Sequence, residues 1–316
     1  MSLLVTGSIG IDTVEAPSGK VVDVLGGSSI YFAWAASFLH PVRLVGVVGE
    51  DCPRDFLKPL FDNPRIDMGG LEVRQGSRTF RWHGRYHQDV NTRDTVAVEL
   101  NVLAERGPAI PPAFRDSRFV FLANTHPALQ AELLGQLTAP KLVVADTMDL
   151  WIHGEPKALA ALLGRLDGLV LNDSEARLLS GEPNLVAAGL KILPRVKQFV
   201  VIKKGEHGSL LFVGGQVYSL PAYPTHHVVD PTGAGDSFAG AMMGYLASQD
   251  RFDPNGTPSG RMAPTSGGPA VLRRAIAYGT VTASFALEDF SLNRFLRTKR
   301  PEIEDRLADF ALRVAF

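Results

Sequence analysis

The 316-residue chain holds a single cysteine, Cys52. One thiol leaves no intrachain disulfide and no cysteine-based zinc site, and it suits a reducing compartment. Charge of one sign is also missing: 32 Lys and Arg stand against 33 Asp and Glu. No global basic field is there to hold a nucleic acid or a membrane surface, so neither is an expected partner. No apolar run approaches the roughly 18 residues that cross a bilayer. The opening MSLLVTGSIGID has no basic stretch, and Gly7 and Gly10 interrupt its apolar residues, so no targeting segment is expected and the cytoplasm is the default location.

The chain does have many short apolar, β-branched runs: Leu3–Thr6, Leu44–Val48, Phe119–Leu122, Leu142–Ala145, Leu169–Leu171 and Phe199–Ile202. Such runs suit strands covered on both faces, as in a parallel sheet. Between them Ser28–Leu39, Ala128–Leu137, Lys157–Leu166 and Ser174–Ser180 carry helical spacing. The alternation predicts one three-layer α/β/α domain over residues 1–316 with a mostly parallel central sheet. The tail Ala270–Phe316 reads as helical with a break near Ser291–Asn293, and the Pro-, Gly- and Ser-rich Arg251–Gly267 reads as a loop. The stretch Leu71–Leu100 breaks the rhythm by alternating polar and apolar residues, as half-exposed antiparallel strands do. It is either an ordinary edge meander or a small β lid beside the main sheet, with lid strands expected at about 13–25 and 71–100.

The chemistry is concentrated in VVDPTGAGDSFAGAMMGYL, Val228–Leu246. Gly233 and Gly235 precede an apolar helix, and backbone N–H groups at such a start converge on an anion. The stretch is not a P-loop, which needs G-x-x-x-x-G-K-S/T, and it lacks the third glycine of a dinucleotide site. A carboxylate beside an anion site is repelled by phosphate, so Asp236 needs a reason. It either caps the helix or accepts the proton of a hydroxyl that attacks a phosphoryl group.

At these residues the sequence resembles the ribokinase-like, or PfkB-type, carbohydrate kinase family, whose D-T-x-G-A-G-D motif is matched by Asp230–Asp236 with Pro231 in place of a threonine. The resemblance implies ATP and Mg²⁺ as cofactors, an anion hole at Gly233, Ala234 and Gly235, and Asp236 as catalytic base. It also implies nucleotide contacts at Asn172, Glu175, Lys203, Gly205, Gly208 and Thr232, with Glu175 holding Mg²⁺ through water and Asp230 open to a monovalent cation. Asp12, Gly26, Gly27, Ser28, Asn124 and Asp146 are the implied acceptor-binding residues, and a homodimer through the lid is a habit of the family. Locally, Asn172 and Glu175 also read as a capping box, Asp12 as a turn former and Lys203 as a solvated charge.

Departures bear on the acceptor. Tyr31 or Phe32 stands where the family has an asparagine after the di-glycine, and Asp146-Thr-Met148 lacks the usual asparagine. A sugar phosphate would need cations such as Arg78, Arg81, Arg85 and Arg93 in the lid. A nucleoside would use flat surfaces such as Tyr31, Phe32, Trp82, Tyr86 and Trp151. A free sugar needs hydrogen-bonding groups such as Asp12, Asn124, His126 and Asp146. The sequence reading places a sugar kinase first, a nucleoside kinase second, then a sugar-phosphate kinase and a sensor that has lost catalysis.

Overall fold

The computed structural model describes residues 2–249 and 268–315; the expected loop Arg251–Gly267 lies outside the described residues. Two sheets organise the chain. The large one is built from β1 (Leu3–Thr6), β4 (Val42–Gly49), β5 (Ile66–Arg74), β8 (Phe119–Leu122), β9 (Leu142–Asp146), β10 (Gly168–Asn172), β11 (Phe199–Lys203), β12 (Ser209–Val213) and β13 (Gln216–Leu220). The small one contains β2 (Gly10–Ala16), β3 (Gly19–Gly26), β6 (Phe80–Tyr86) and β7 (Arg93–Glu99).

The large sheet has the order β13-β12-β11-β10-β9-β8-β1-β4-β5. It is parallel from β5 to β11 and closes with the antiparallel strands β12 and β13. Strands β8 to β10 are nearly all buried, because helices cover both faces. On one face Ser28–Ser37, Ala234–Ser248 and Pro269–Ala286 pack with Phe32, Phe121, Met242 and Phe285. On the other lie Pro127–Gly135, Pro156–Leu163 and Leu185–Ile192, with Val120, Leu162 and Phe212. The tail forms Pro269–Ala286, Asn293–Arg297 and Arg300–Val314, with the break where it was expected.

The small sheet has the order β3-β2-β6-β7. Its two hairpins are antiparallel, and they join through a parallel pairing of β2 with β6. The boundaries differ from the expected 71–100: Leu71–Arg74 belong to β5, the edge of the large sheet. An edge strand with one face less covered alternates in polarity just as a hairpin strand does, so the sequence pattern alone does not separate them. Among the described residues no helix is long and apolar enough to cross a membrane.

Candidate active site

The chain leaves β1 for the small sheet, returns through β4 and β5 on one side, and then continues from β8 on the other side of β1. Such a reversal opens a crevice beyond the carboxyl ends of the strands, where open α/β sheets bind ligands. Asp12, Asn124, Asp146, Asn172 and Lys203 follow or end β1, β8, β9, β10 and β11. Asn172 and Lys203 are cross-strand partners, so they emerge side by side.

Facing them is the start of the helix Ala234–Ser248. Its N-cap is Gly233 with φ 73°, and no side chain caps it. Asp236 occupies the third helical position, which removes the reading of it as the N-cap. A Cβ on Gly233 would lie 2.3 Å from the ring of Tyr31, and one on Gly235 would lie 2.7 Å from Lys203 Nζ. The first N–H groups of a helix have no intrahelical partner. The Ala234 N–H turns back to the Pro231 carbonyl at 3.2 Å, and the Lys203 amine lies beside Gly235, so a helix start and a cation meet where an anion can be held.

The carboxylates share a strained electrostatic setting. Withdrawal from water raises Asp236 to about 6, opposed by the charges of Lys203 and Arg93. Burial, with the charge of Asp236, pushes Asp146 well above the usual carboxylate range, while Lys203 opposes. Burial raises Glu175 to about 7, again against Lys203. Asp12 rises to about 8, through burial and then the charges of Asp230 and Asp236. Oδ1 of Asp12, Oδ1 of Asp146 and Oδ2 of Asp230 are buried without a hydrogen-bond partner. Buried polar atoms are seldom left so, and three such carboxylates point to a ligand.

The remaining candidates divide by what holds them. The Gly27 N–H donates to the Asp12 carboxylate, and a Cβ on Gly26 would lie 1.8 Å from Asp12 Oδ2, so the di-glycine is what lets Asp12 sit there. Ser28 instead exchanges hydrogen bonds with Ser8, at 2.9 to 3.2 Å. Asn172 and Glu175 form a full capping box, both bonds 2.8 Å. Gly205 and Gly208 take positive φ in a tight turn after β11. The Asn124 amide bonds Met148 Sδ at 3.1 Å, and its oxygen accepts from Trp151 Nε1 at 2.9 Å. Asp230 Oδ1 accepts from the Thr232 N–H at 2.8 Å.

Two of the aromatic candidates are core, and two contacts have no counterpart in the sequence analysis. Tyr31, 2% exposed, packs against Gly233 and is no acceptor surface; Phe32 is likewise core, stacked on Phe121. The Thr232 hydroxyl meets the Tyr86 hydroxyl at 3.2 Å, and Asn91 donates to Glu206 at 3.1 Å, so the β6–β7 hairpin reaches across the crevice. The Trp82-Gly84-Tyr86 alternation was the available signal for the first of these contacts; the second had none.

Comparison with known proteins agrees with this architecture. Residues 17–299 match the model of the pfkB family carbohydrate kinase. A cytidine kinase of Thermococcus kodakarensis is 30% identical over 261 residues, 80% of this chain and 90% of the relative. A fructokinase of Klebsiella pneumoniae is 30% identical over 276 residues, 77% of this chain and 84% of the relative. In fold, a nucleoside kinase of Burkholderia thailandensis in complex with inosine superposes with TM-score 0.75 at 17% identity, covering 100% of this chain and 99% of the other. A ribokinase of Thermotoga maritima gives 0.72 at 20% identity, covering 98% and 99%. With the motif Asp230–Asp236 at a helix-start cradle and a match over most of its length, the chain belongs to the pfkB family of carbohydrate kinases, phosphotransferases with an alcohol group as acceptor.

Proposed function

We propose that the protein transfers the γ-phosphoryl group of ATP to a hydroxyl of a nucleoside, with Asp236 as general base. The observation that carries the kinase chemistry is the Asp236 carboxylate in the first turn of an uncapped helix whose cradle also contains the Lys203 amine. The residues fit a polyphosphate: the helix start has no side-chain cap, and the Lys203 amine lies where a Cβ on Gly235 would come within 2.7 Å of it. Mg²⁺ would supply charge neutralisation and bridging of the phosphates, with Glu175 as its water-mediated holder. Asp230, with one buried oxygen unpartnered, suits a monovalent cation.

In this reading Asp12 fixes the acceptor through its hydroxyls and Asp236 takes the proton of the attacking hydroxyl. The acceptor oxygen forms its bond to the γ-phosphorus, the bond from phosphorus to the bridging oxygen breaks, and ADP leaves. A base near 6 is mostly ionised at neutral pH and still basic enough to accept a proton, the useful compromise for this role. Burial and the charge of Asp236 push Asp146 well above the usual carboxylate range, against the opposing charge of Lys203. Within the single kinase domain the small sheet acts as a lid that keeps water from the transfer.

A nucleoside is favoured over a free sugar because Trp82, whose ring lies over Gly84, is paired in register with Asp12 and Trp151 donates to Asn124, placing an aromatic residue near each of these acceptor-end residues. The likeness to a cytidine kinase supports the same choice. The free-sugar reading stands second, supported by the likeness to a fructokinase. A sugar phosphate is disfavoured: Arg78, Arg81 and Arg85 are taken by Asp51, Glu99, Asp23 and Glu15. The test is ADP release with MgATP and a panel of nucleosides, pentoses, hexoses and hexose phosphates, for wild type and Asp236→Asn. Stimulation by a nucleoside alone supports the proposal; stimulation by a hexose alone replaces it with the second reading.

A further inference from the structure

We propose that Tyr31 is a positioning residue for phosphoryl transfer: its ring props the Gly233 turn that opens the anion cradle, and so fixes the cradle against the acceptor end of the site. The inference rests on the kinase reading above and assigns a role to the position where the family has an asparagine.

Tyr31 and Phe32 are alternatives for that position in the sequence, and the fold separates them. Phe32 stacks on Phe121 in the core, with ring centres 4.5 Å apart. Tyr31 lies against the cradle instead: a Cβ on Gly233 would come within 2.3 to 2.4 Å of its ring carbons. Gly233 is third in a turn closed by the Ala234 N–H onto the Pro231 carbonyl, and its φ and ψ are 73° and 0°. Glycine takes that left-handed conformation at little cost, and its bare Cα lets the ring approach. The Gly233 carbonyl then accepts from the Ser237 N–H at 2.8 Å, so this turn sets where the helical turn that carries Asp236 begins.

The backbone of Tyr31 belongs to the acceptor end. Its N–H and that of Ile30 donate to the Gly27 carbonyl at 3.4 and 3.1 Å, while the Gly27 N–H donates to Asp12. Ser8 and Ser28 clamp the same helix start. Farther along, a Cβ on Gly240 would lie 2.3 Å from the Phe32 carbonyl oxygen, and one on Gly244 2.9 Å from that of Ala36. The helices Ser28–Ser37 and Ala234–Ser248 therefore run side by side in one direction, and Tyr31 spans them at the end that meets the site. Burial, then the charges of Asp230 and Asp12, push the Tyr31 phenol well above its usual value, so the prop stays neutral beside an anion site. Phosphoryl transfer is largely positioning, and a misplacement of about 1 Å can cost about 10²-fold in rate.

The test measures ADP, inorganic phosphate and phosphorylated acceptor for wild type, Tyr31→Phe, Tyr31→Leu, Asp236→Asn and the core control Phe32→Leu. In Tyr31→Leu the cradle can shift against the acceptor, so we expect kcat to fall about 10²-fold. Water should then compete for the γ-phosphorus, releasing ADP with inorganic phosphate, and the ratio of ADP to phosphorylated acceptor should rise several-fold. That ratio does not depend on how much protein is folded, so Phe32→Leu should leave it at the wild-type value. Tyr31→Phe keeps the ring and should restore both kcat and the ratio. If Tyr31→Leu does not fold, Tyr31→Met takes its place with the same expected ratio, methionine being the more adaptable filler. A wild-type ratio in the ring-less variant would overturn the proposal, since the ring would then merely fill space. A defect in Tyr31→Phe as large as in Tyr31→Leu would also overturn it, by moving the role to the hydroxyl. Full activity of Asp236→Asn would instead remove the kinase reading itself, and this inference with it.

Discussion

The hydroxyl of Thr232 lies 3.2 Å from that of Tyr86, and this pair ties the small sheet to the loop leading into the anion cradle. A single hydrogen bond of this kind is worth about 0.5–1.5 kcal/mol, roughly two- to tenfold in an equilibrium. Tyr86→Phe should therefore raise the KM values by a few fold and expose the Gln88–Asn91 tip to protease, with little change in Tm. Unaltered proteolysis and kinetics would show that the pair is no tether.

In the proposed reaction Asp236 is the general base, so its protonation should set the acid limb of activity. Its pKa is raised to about 6, so kcat/KM should rise with pH through about 6 and level above it. A limb near pH 4 would identify an unperturbed carboxylate as the base. Asp236→Asn should lower kcat about 10²-fold or more while the nucleotide still binds.

The two glycines of the cradle should respond differently. Gly233 has φ 73° and faces the Tyr31 ring, so Gly233→Ala strains the backbone and the core, at a cost of about 1–3 kcal/mol read as a lower Tm. At Gly235 the obstacle is the flexible end of Lys203, so Gly235→Ala should displace the amine and lose turnover with Tm nearly unchanged. Equal losses of Tm would contradict this division.

Asp12 links function to stability. Its folded pKa, about 8, exceeds the unfolded value of 3.8, so the folded state holds a proton that the unfolded chain gives up. The contribution is fully present below about pH 4 and is lost as pH rises towards 8. Asp12→Asn should flatten that decline and raise Tm at pH 8, while acceptor binding weakens. A Tm difference from wild type that stays constant between pH 5 and 8 would rule the linkage out.

Much of this was legible in the sequence because burial on both faces writes continuous apolar runs. Leu3–Thr6 and Phe119–Leu122 are strands with the ends expected of them, and Asp230–Asp236 marks the cradle by its own chemistry. The hairpin β12–β13 was not singled out, since an edge hairpin with a polar outer strand leaves a weaker pattern. Nor does composition distinguish Arg93 from Arg81 or Arg85: each is an arginine in an alternating stretch, and only cross-strand pairing decides which face each one takes. Ser28 and Asn124 show the converse, polar residues at plausible positions whose bonds are consumed within the chain.

One residue of β7 has no partner. His83 pairs with Ala97 and Gly84 with Thr95, so Val96 is supernumerary between them. An extra residue bends and twists its strand, and the bend lies between the root of the hairpin and the tip that reaches Glu206. The arm behaves as a cranked lever whose angle is stored in one amino acid. Deleting Val96 would keep the other cross-strand partners and should straighten the crank, shifting the hairpin tip without redesigning the sheet.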